Sequence, residues 1–386
     1  MMRRPILPAT AAALLAAPLL TSCAPEGGAD TAMTMDVPTI DAGAYDIVEG
    51  WLQPFQAEGF AFGGNSSVWV DSPDRIFIIQ RGETPLPDPV PGSFAGYAGS
   101  IDMNVLRGPR TWQNVIFAVN QDGQVQEVWD QWDHLFAGSE GPGPHRLRIS
   151  PYDPERRVWI VHETFHQIFV FSNDGSELLH TFGEKGVAAS DETHFNLPQD
   201  IAFLPDGRVL VADGLGNRRV IVLDADWNYE SEFGSEGDGL GQFGSLHSIA
   251  LGPEGRVIVT DRDDRAVHVF RQQEPDPSRS YHAEFVPEHR WEGFALTLDV
   301  LVNEDAIWIT EVSPPRVIKL SFEGDRLHEW ALPTEGPASY IEMHTFAVAP
   351  DGVLYGGDNQ HARTQKFVPK ADADPSQLIG PRYVPR

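Results

Sequence analysis

The sequence predicts an all-β fold, a six-bladed β-propeller. One β-rich pattern returns six times along the chain, the returns are close to evenly spaced, and no helical periodicity competes with them. Each return holds an apolar alternating run, a turn containing Asp or Gly, a second apolar run ending in Asp or Glu, and a third run. Val, Ile, Phe and Trp fill the runs, as buried sheet faces require.

The N-terminus has a different character. Arg3 and Arg4 precede an apolar run from Ala11 to Leu20, too short to span a bilayer as a stable helix. It leads into Leu20, Thr21, Ser22 and Cys23, a tetrapeptide that resembles the bacterial lipobox, cut just before a lipid-modified cysteine. Residues 1–22 are therefore expected to be a signal peptide. Acyl chains such as palmitate on Cys23 would hold the protein on a membrane of the cell envelope, facing the periplasm or the exterior. Cys23 is the only cysteine, so no intramolecular disulfide can form and the core alone must hold the fold.

Residues 23–42 are rich in small and acidic residues without periodicity and read as a flexible tether, leaving 43–386 for the propeller. The formal net charge is −28, with 56 acidic against 28 basic residues and no basic cluster. Such a surface repels phosphate backbones, which excludes nucleic acid as a partner. The expected unit is a monomer that meets a small-molecule or peptide substrate.

The repeats follow. "QDIAFLPDGRVLVADGLGNRRVIVLD" (199–224) and "HSIALGPEGRVIVTDRDDRAVHVF" (247–270) align without a gap through the second strand, and "HTFAVAPDGVLYGGDNQHARTQKF" (344–367) keeps their frame. "HRLRISPYDPERRVWIVHETFHQIFVF" (145–171) fits with a longer turn. Weaker copies lie at 66–82 and 297–320. The openings are Ser66, His145, Gln199, His247, Thr297 and His344, and the later intervals suit four strands per repeat. The first interval is longer by a Pro- and Gly-rich loop, 84–110. Asp213, Asp261 and Asp358 recur at one frame position, which argues for holding a blade turn rather than for chemistry.

Histidine opens the pattern in blades 2, 4 and 6 alone. A single histidine at a strand start is ordinarily just a polar residue near a loop. Three in one register on alternate blades would converge on the propeller axis, giving three nitrogen ligands and an open fourth position, the arrangement of a catalytic zinc. His145, His247 and His344 are the candidate ligands. His162, His166, His268 and His361 are expected at the surface or at strand edges.

The repeats resemble NHL repeats from about residue 61 to 367. At "GPHRLRI", "SLHSIAL" and "EMHTFAV" the chain further resembles the lyase domain of peptidylglycine α-amidating enzymes. That resemblance implies a zinc on the three histidines and cleavage of a peptidyl-α-hydroxyglycine into a peptide amide and glyoxylate. It also implies roles for Arg81, in an Arg-Gly pair, and for Arg262, after Asp261. Arg81 ends an apolar strand and would face the mouth, where a guanidinium suits a carboxylate. Arg262, in the acidic run Asp261 to Asp264, reads equally as half of a surface ion pair.

Two departures stand out. Leu215 occupies the place of the family's tyrosine, its base, so either another group such as His162 or a metal-bound hydroxide serves, or the substrate differs from an α-hydroxyglycine. Thr345 replaces an aspartate that helps hold a structural Ca²⁺, which puts that ion in doubt. The alternative reading is a non-catalytic propeller that binds a protein or glycan. A calcium-type lactonase would need carboxylate and amide ligands that these openings do not offer.

Overall fold

The computed structural model describes residues 39–105, 108–273 and 284–385. The signal segment, Cys23 and the tether up to residue 38 lie outside the described residues. No helix among those described is long and apolar enough to cross a membrane.

Six antiparallel sheets form the blades. Blade 2 is typical: Pro144–Ile149, Val158–His162, Gln167–Phe171 and Leu178–Phe182, each antiparallel to the strand before it. The innermost strands of blades 1, 3, 4, 5 and 6 are Asn65–Ser72, Asp200–Phe203, Leu246–Leu251, Leu296–Val302 and Thr345–Val348. Each packs on the next and the last on the first, so the ring closes around a central channel. This is the six-bladed propeller that the repeats predict.

Sequence pattern explains the radial order. The middle strands are buried throughout, as in "VWIVH" and "QIFVF" of blade 2, and they read as unbroken apolar runs. The outermost strand "LLHTF" is half-buried to exposed along its length. Apolar wedges fill the spaces between blades: Phe77 and Ile79 of the first sheet, with Trp129 just after its last strand, meet Leu147, Ile149, Ile160 and Phe169 of the second in one cluster.

Blade 6 closes differently from the others. Its sheet runs Thr345–Val348, Leu354–Asp358, Arg363–Pro369, then Tyr45–Val48 and Thr39–Ala42. An N-terminal hairpin thus completes the C-terminal blade, tying the two ends of the ring by backbone hydrogen bonds. Thr39–Ala42 is strand, so folded structure begins inside the segment expected to be tether. The hairpin is anchored by Tyr45, fully buried, edge-on to Phe367 at 6.4 Å and accepting the Ile379 amide at 2.7 Å through its hydroxyl.

The recurrent aspartates hold the loops that lead into the inner strands. Asp213 accepts the Asn196 amide at 2.7 Å, Asp261 those of Gly244 and Ser245 at 2.9 and 2.7 Å, and Asp358 that of Ile341 at 2.9 Å. Each carboxylate ends a second strand and fixes the backbone just before an opening position, which is the turn-holding role expected of it. The long insertion of blade 1 reaches blade 6, where the Gly99 amide donates to the His361 carbonyl at 3.0 Å and the Tyr97 hydroxyl to the Pro337 carbonyl at 2.9 Å.

Candidate metal centre

The three opening histidines come together. Their candidate ligand atoms all lie within 4.8 Å of one another, and the ring centroids are 4.8, 4.8 and 5.1 Å apart. Each ring is oriented by the blade that follows it. The Nδ1 of His145 donates to the Gln199 carbonyl at 2.7 Å, that of His247 to Leu298 at 2.8 Å, and that of His344 to Ser66 at 2.9 Å. With a carbonyl opposite Nδ1, the proton must sit there, which leaves each Nε2 as a bare lone pair. Backbone carbonyls behind ligating imidazoles are the usual orienting shell of a metal site.

Leu298, not Thr297, supplies the carbonyl in blade 5. The strand has an irregularity between Thr297 and Val300 that moves the frame by one residue, and a repeat alignment cannot detect that shift.

Electrostatics keeps the trio neutral. All three pKa values fall well below the ordinary histidine value, first through burial, then through neighbouring positive charge. For His145 the other two imidazoles act next, for His247 Arg262, and for His344 Arg146. A metal requires that neutral form. Bonds of about 2.0–2.1 Å would place tetrahedral nitrogens roughly 3.4 Å apart, an adjustment of less than about 1 Å per ring. Three oriented, uncharged nitrogen donors fit a zinc-like ion.

Arg81 and Arg262 lie near the trio. Arg81 is 3% exposed; its Nε donates to the carbonyl of Pro144, the residue before the first histidine, at 3.1 Å. One terminal nitrogen, Nη2, is buried without a hydrogen-bond partner and stands 3.6 Å from Glu163. Burial lowers its pKa to about 10, a value at which it stays charged at neutral pH. Arg262 makes the ion pair with Asp263, at 2.9 Å from Nε, and also contributes to the depression of the His247 pKa. The surface ion pair expected of that residue is therefore present.

His162 is placed otherwise than a base would need. It is fully buried, stacked on Phe165 at 4.2 Å and on Phe136 at 5.6 Å. Its Nδ1 accepts the Phe165 amide at 3.1 Å, so the remaining proton sits on Nε2 and no lone pair is left. Burial drives its pKa down to about 3. His268 is likewise fully buried, against Phe243 at 4.9 Å, rather than at the surface or a strand edge, because a ring in the third strand faces the core.

Glu163 is the group that sequence reasoning missed. It follows the end of a second strand, as Arg81 and Arg262 do, so the repeat frame itself was the available signal. It is 6% exposed; burial raises its pKa, while Arg81 and then Arg262 oppose the shift. Leu215 is half-buried and follows Gly214, which packs so closely on the strand of His247 that a Cβ there would lie 2.0 Å from the Leu246 carbonyl.

Next to the histidines the channel is filled by an ion network. Arg146 is fully buried and donates to the His344 carbonyl at 3.1 Å and more weakly to Ser66 at 3.4 Å; its other nitrogens lie 3.6 Å from Asp200 and 3.3 Å from Asp299. Ser248 bridges the two aspartates at 2.7 and 2.9 Å. Here the cation against the His344 carbonyl is a guanidinium, and Thr345 offers only an unpartnered hydroxyl. These residues do not fit a structural Ca²⁺, so the doubt raised by Thr345 has a physical basis in Arg146.

No family model matches the chain. Among curated proteins it is similar to the peptidylglycine alpha-amidating monooxygenase of Rattus norvegicus, 26% identical over 351 residues covering 83% of this chain and 35% of that protein. The peptidyl-alpha-hydroxyglycine alpha-amidating lyase 1 of Drosophila melanogaster is 27% identical over 294 residues, covering 70% and 52%. The NHL repeat-containing protein 3 of Homo sapiens is 31% identical over 163 residues, covering 40% and 44%. The chain thus spans about a third to a half of the length of these relatives. It is a six-bladed β-propeller similar in sequence to NHL-repeat and peptidyl-α-hydroxyglycine amidating-lyase proteins, with three histidines gathered at one end of its channel.

Proposed function

We propose that the protein is a zinc-dependent carbon–nitrogen lyase acting on a peptidyl-α-hydroxyglycine or a close, small anionic relative. The convergence of three neutral, carbonyl-oriented imidazoles carries this reading. A binding module gains nothing from burying three imidazoles against one another, and the relatives named as amidating enzymes and lyases favour catalysis over that alternative.

A zinc held by His145, His247 and His344 would supply Lewis acidity toward a substrate oxygen. The chain's own groups divide the remaining work. Arg81, anchored through Nε and with an Nη2 that makes no hydrogen bond, takes the substrate carboxylate, and Arg262 adds positive charge beside it. Glu163 takes the proton of the substrate hydroxyl. The C–O bond becomes the aldehyde of glyoxylate, the C–N bond breaks, and the amide nitrogen recovers the proton from Glu163. A carboxylate whose pKa burial has raised is suited to both transfers.

The test is glyoxylate release from a peptidyl-α-hydroxyglycine by zinc-loaded protein, with no turnover as the result that rejects the reading. Glu163→Gln is expected to lower kcat by roughly 10²–10⁴ with little change in KM. Leu215→Tyr separates the two possible bases. An unchanged rate agrees with Glu163 as the base, whereas a large gain would return that role to the tyrosine position.

The lipobox motivates a further part of the proposal, that the enzyme works from a membrane surface in the cell envelope through lipidated Cys23. Cys23→Ser is expected to move the protein to the soluble fraction or to leave the precursor uncut. Membrane fractionation of a cleaved Cys23→Ser protein would refute the anchor.

A further inference from the structure

The end of the channel away from the histidines is closed by the C-terminal segment. The Tyr383 amide donates to the Val302 carbonyl at 2.6 Å and the Tyr152 hydroxyl to the Pro385 carbonyl at 2.9 Å. Beneath this segment lies a cavity of about 160 Å³, bounded by residues from the innermost strands of all six blades. That is roughly five times the volume a water molecule takes up in the liquid. Its walls are mainly apolar, with Ile201, Leu251 and Val348 among them, and its side-chain nitrogens, on Trp69, Arg148 and Arg382, are donors.

Three observations show what the cavity lacks. Arg148, 2% exposed, lines it with an Nε that has no hydrogen-bond partner, and Trp69 lines it with a buried Nε1 in the same state. Arg382 and Arg148 each set a guanidinium over the Trp69 ring, 5.6 Å from its centroid. Among the described residues the charge does not balance: Arg146, Arg148 and Arg382 interact with one another and with Asp200 and Asp299, three cations against two carboxylates. Burial and the charge of Arg148 bring the pKa of Arg382 down to about 10, as expected where positive charge is in excess. Buried donors without acceptors beside an uncompensated cation call for an anion.

We propose that this cavity binds a small monocarboxylate with a short apolar body. The carboxylate accepts from Arg148, Arg382 and the Trp69 indole and supplies the missing negative charge, while the carbon body lies against the aliphatic wall. The site is separate from the histidine end and does not depend on the lyase reading.

Calorimetric titration of the zinc-free protein with hexanoate, hexanol and hexylammonium tests this. Hexanoate is expected to bind, and the neutral and cationic analogues at least tenfold more weakly, since hydrogen bonds to an ionised acceptor exceed neutral ones. Arg382→Gln should weaken hexanoate by tenfold or more while leaving zinc stoichiometry intact, and Arg81→Met should leave hexanoate binding unchanged. Trp69→Phe, which keeps the ring and removes the donor, should weaken it less and guards against an Arg382 variant that unfolds. Absence of hexanoate binding, equal binding of hexanol, or loss of binding in Arg81→Met would each overturn the proposal.

Discussion

His247→Ala is expected to take the protein from one tightly held zinc per chain to none, and its lyase activity to background. The imidazole sits where two others meet, ring centroids 4.8 and 5.1 Å away, and alanine leaves two nitrogens that cannot enclose a tetrahedral ion. The readout is metal content after dialysis, which does not depend on knowing the substrate. Thermal unfolding gives a second one. Zinc at a hundredfold excess over its Kd stabilises a folded protein by about 2.7 kcal/mol, so wild type should melt several degrees higher with zinc than without. His247→Ala should show no such difference. Its metal-free form should otherwise melt near metal-free wild type, because the Nδ1 bond to Leu298 is worth only about 1 kcal/mol. A variant that still holds one zinc would refute the shared site.

Arg81→Met has the second largest expected effect. Hydrogen bonds to a charged group contribute about 1.5–3 kcal/mol, so kcat/KM for an anionic substrate should fall roughly ten- to hundredfold, mostly through KM. Arg81→Lys should recover part of the loss, since it restores the charge without the fork. The variant also carries a pH signature. Glu163 must be ionised to accept a proton, so activity rises as pH climbs through its pKa. Arg81 opposes the upward push of burial on that pKa; removing it lets the pKa rise further, and the ascending limb should move to higher pH. A limb that stays in place would dissociate Glu163 from the rate.

Much of the candidate site was legible because a propeller repeats its geometry. Once Gln199, His247 and His344 share a frame, one rotation per blade carries equivalent residues to equivalent places, and alternate blades bring three of them to one axis. Glu163 occupies a frame position shared with Arg81 and Arg262, yet sequence reading passed over it in favour of His162. The preference for His162 rested on residue type, and type does not say which lone pairs the fold has already engaged. The Phe165 amide occupies one nitrogen of that ring, and Phe136 and Phe165 enclose it.

The sequence by itself determined the number of blades, the strand pattern within each, and the convergence of His145, His247 and His344, because all three follow from short-range periodicity and its repetition. Only the tertiary structure decided how the ring closes, with Thr39–Ala42 and Tyr45–Val48 completing the sixth sheet. It also decided that Leu298 takes the place expected of Thr297, that Arg146 brings a guanidinium against the His344 carbonyl, and that Arg382 returns to the far end of the channel. These depend on contacts between residues tens to hundreds of positions apart, set by side-chain reach, a strand irregularity and charge balance, and none of those leaves a period in the sequence.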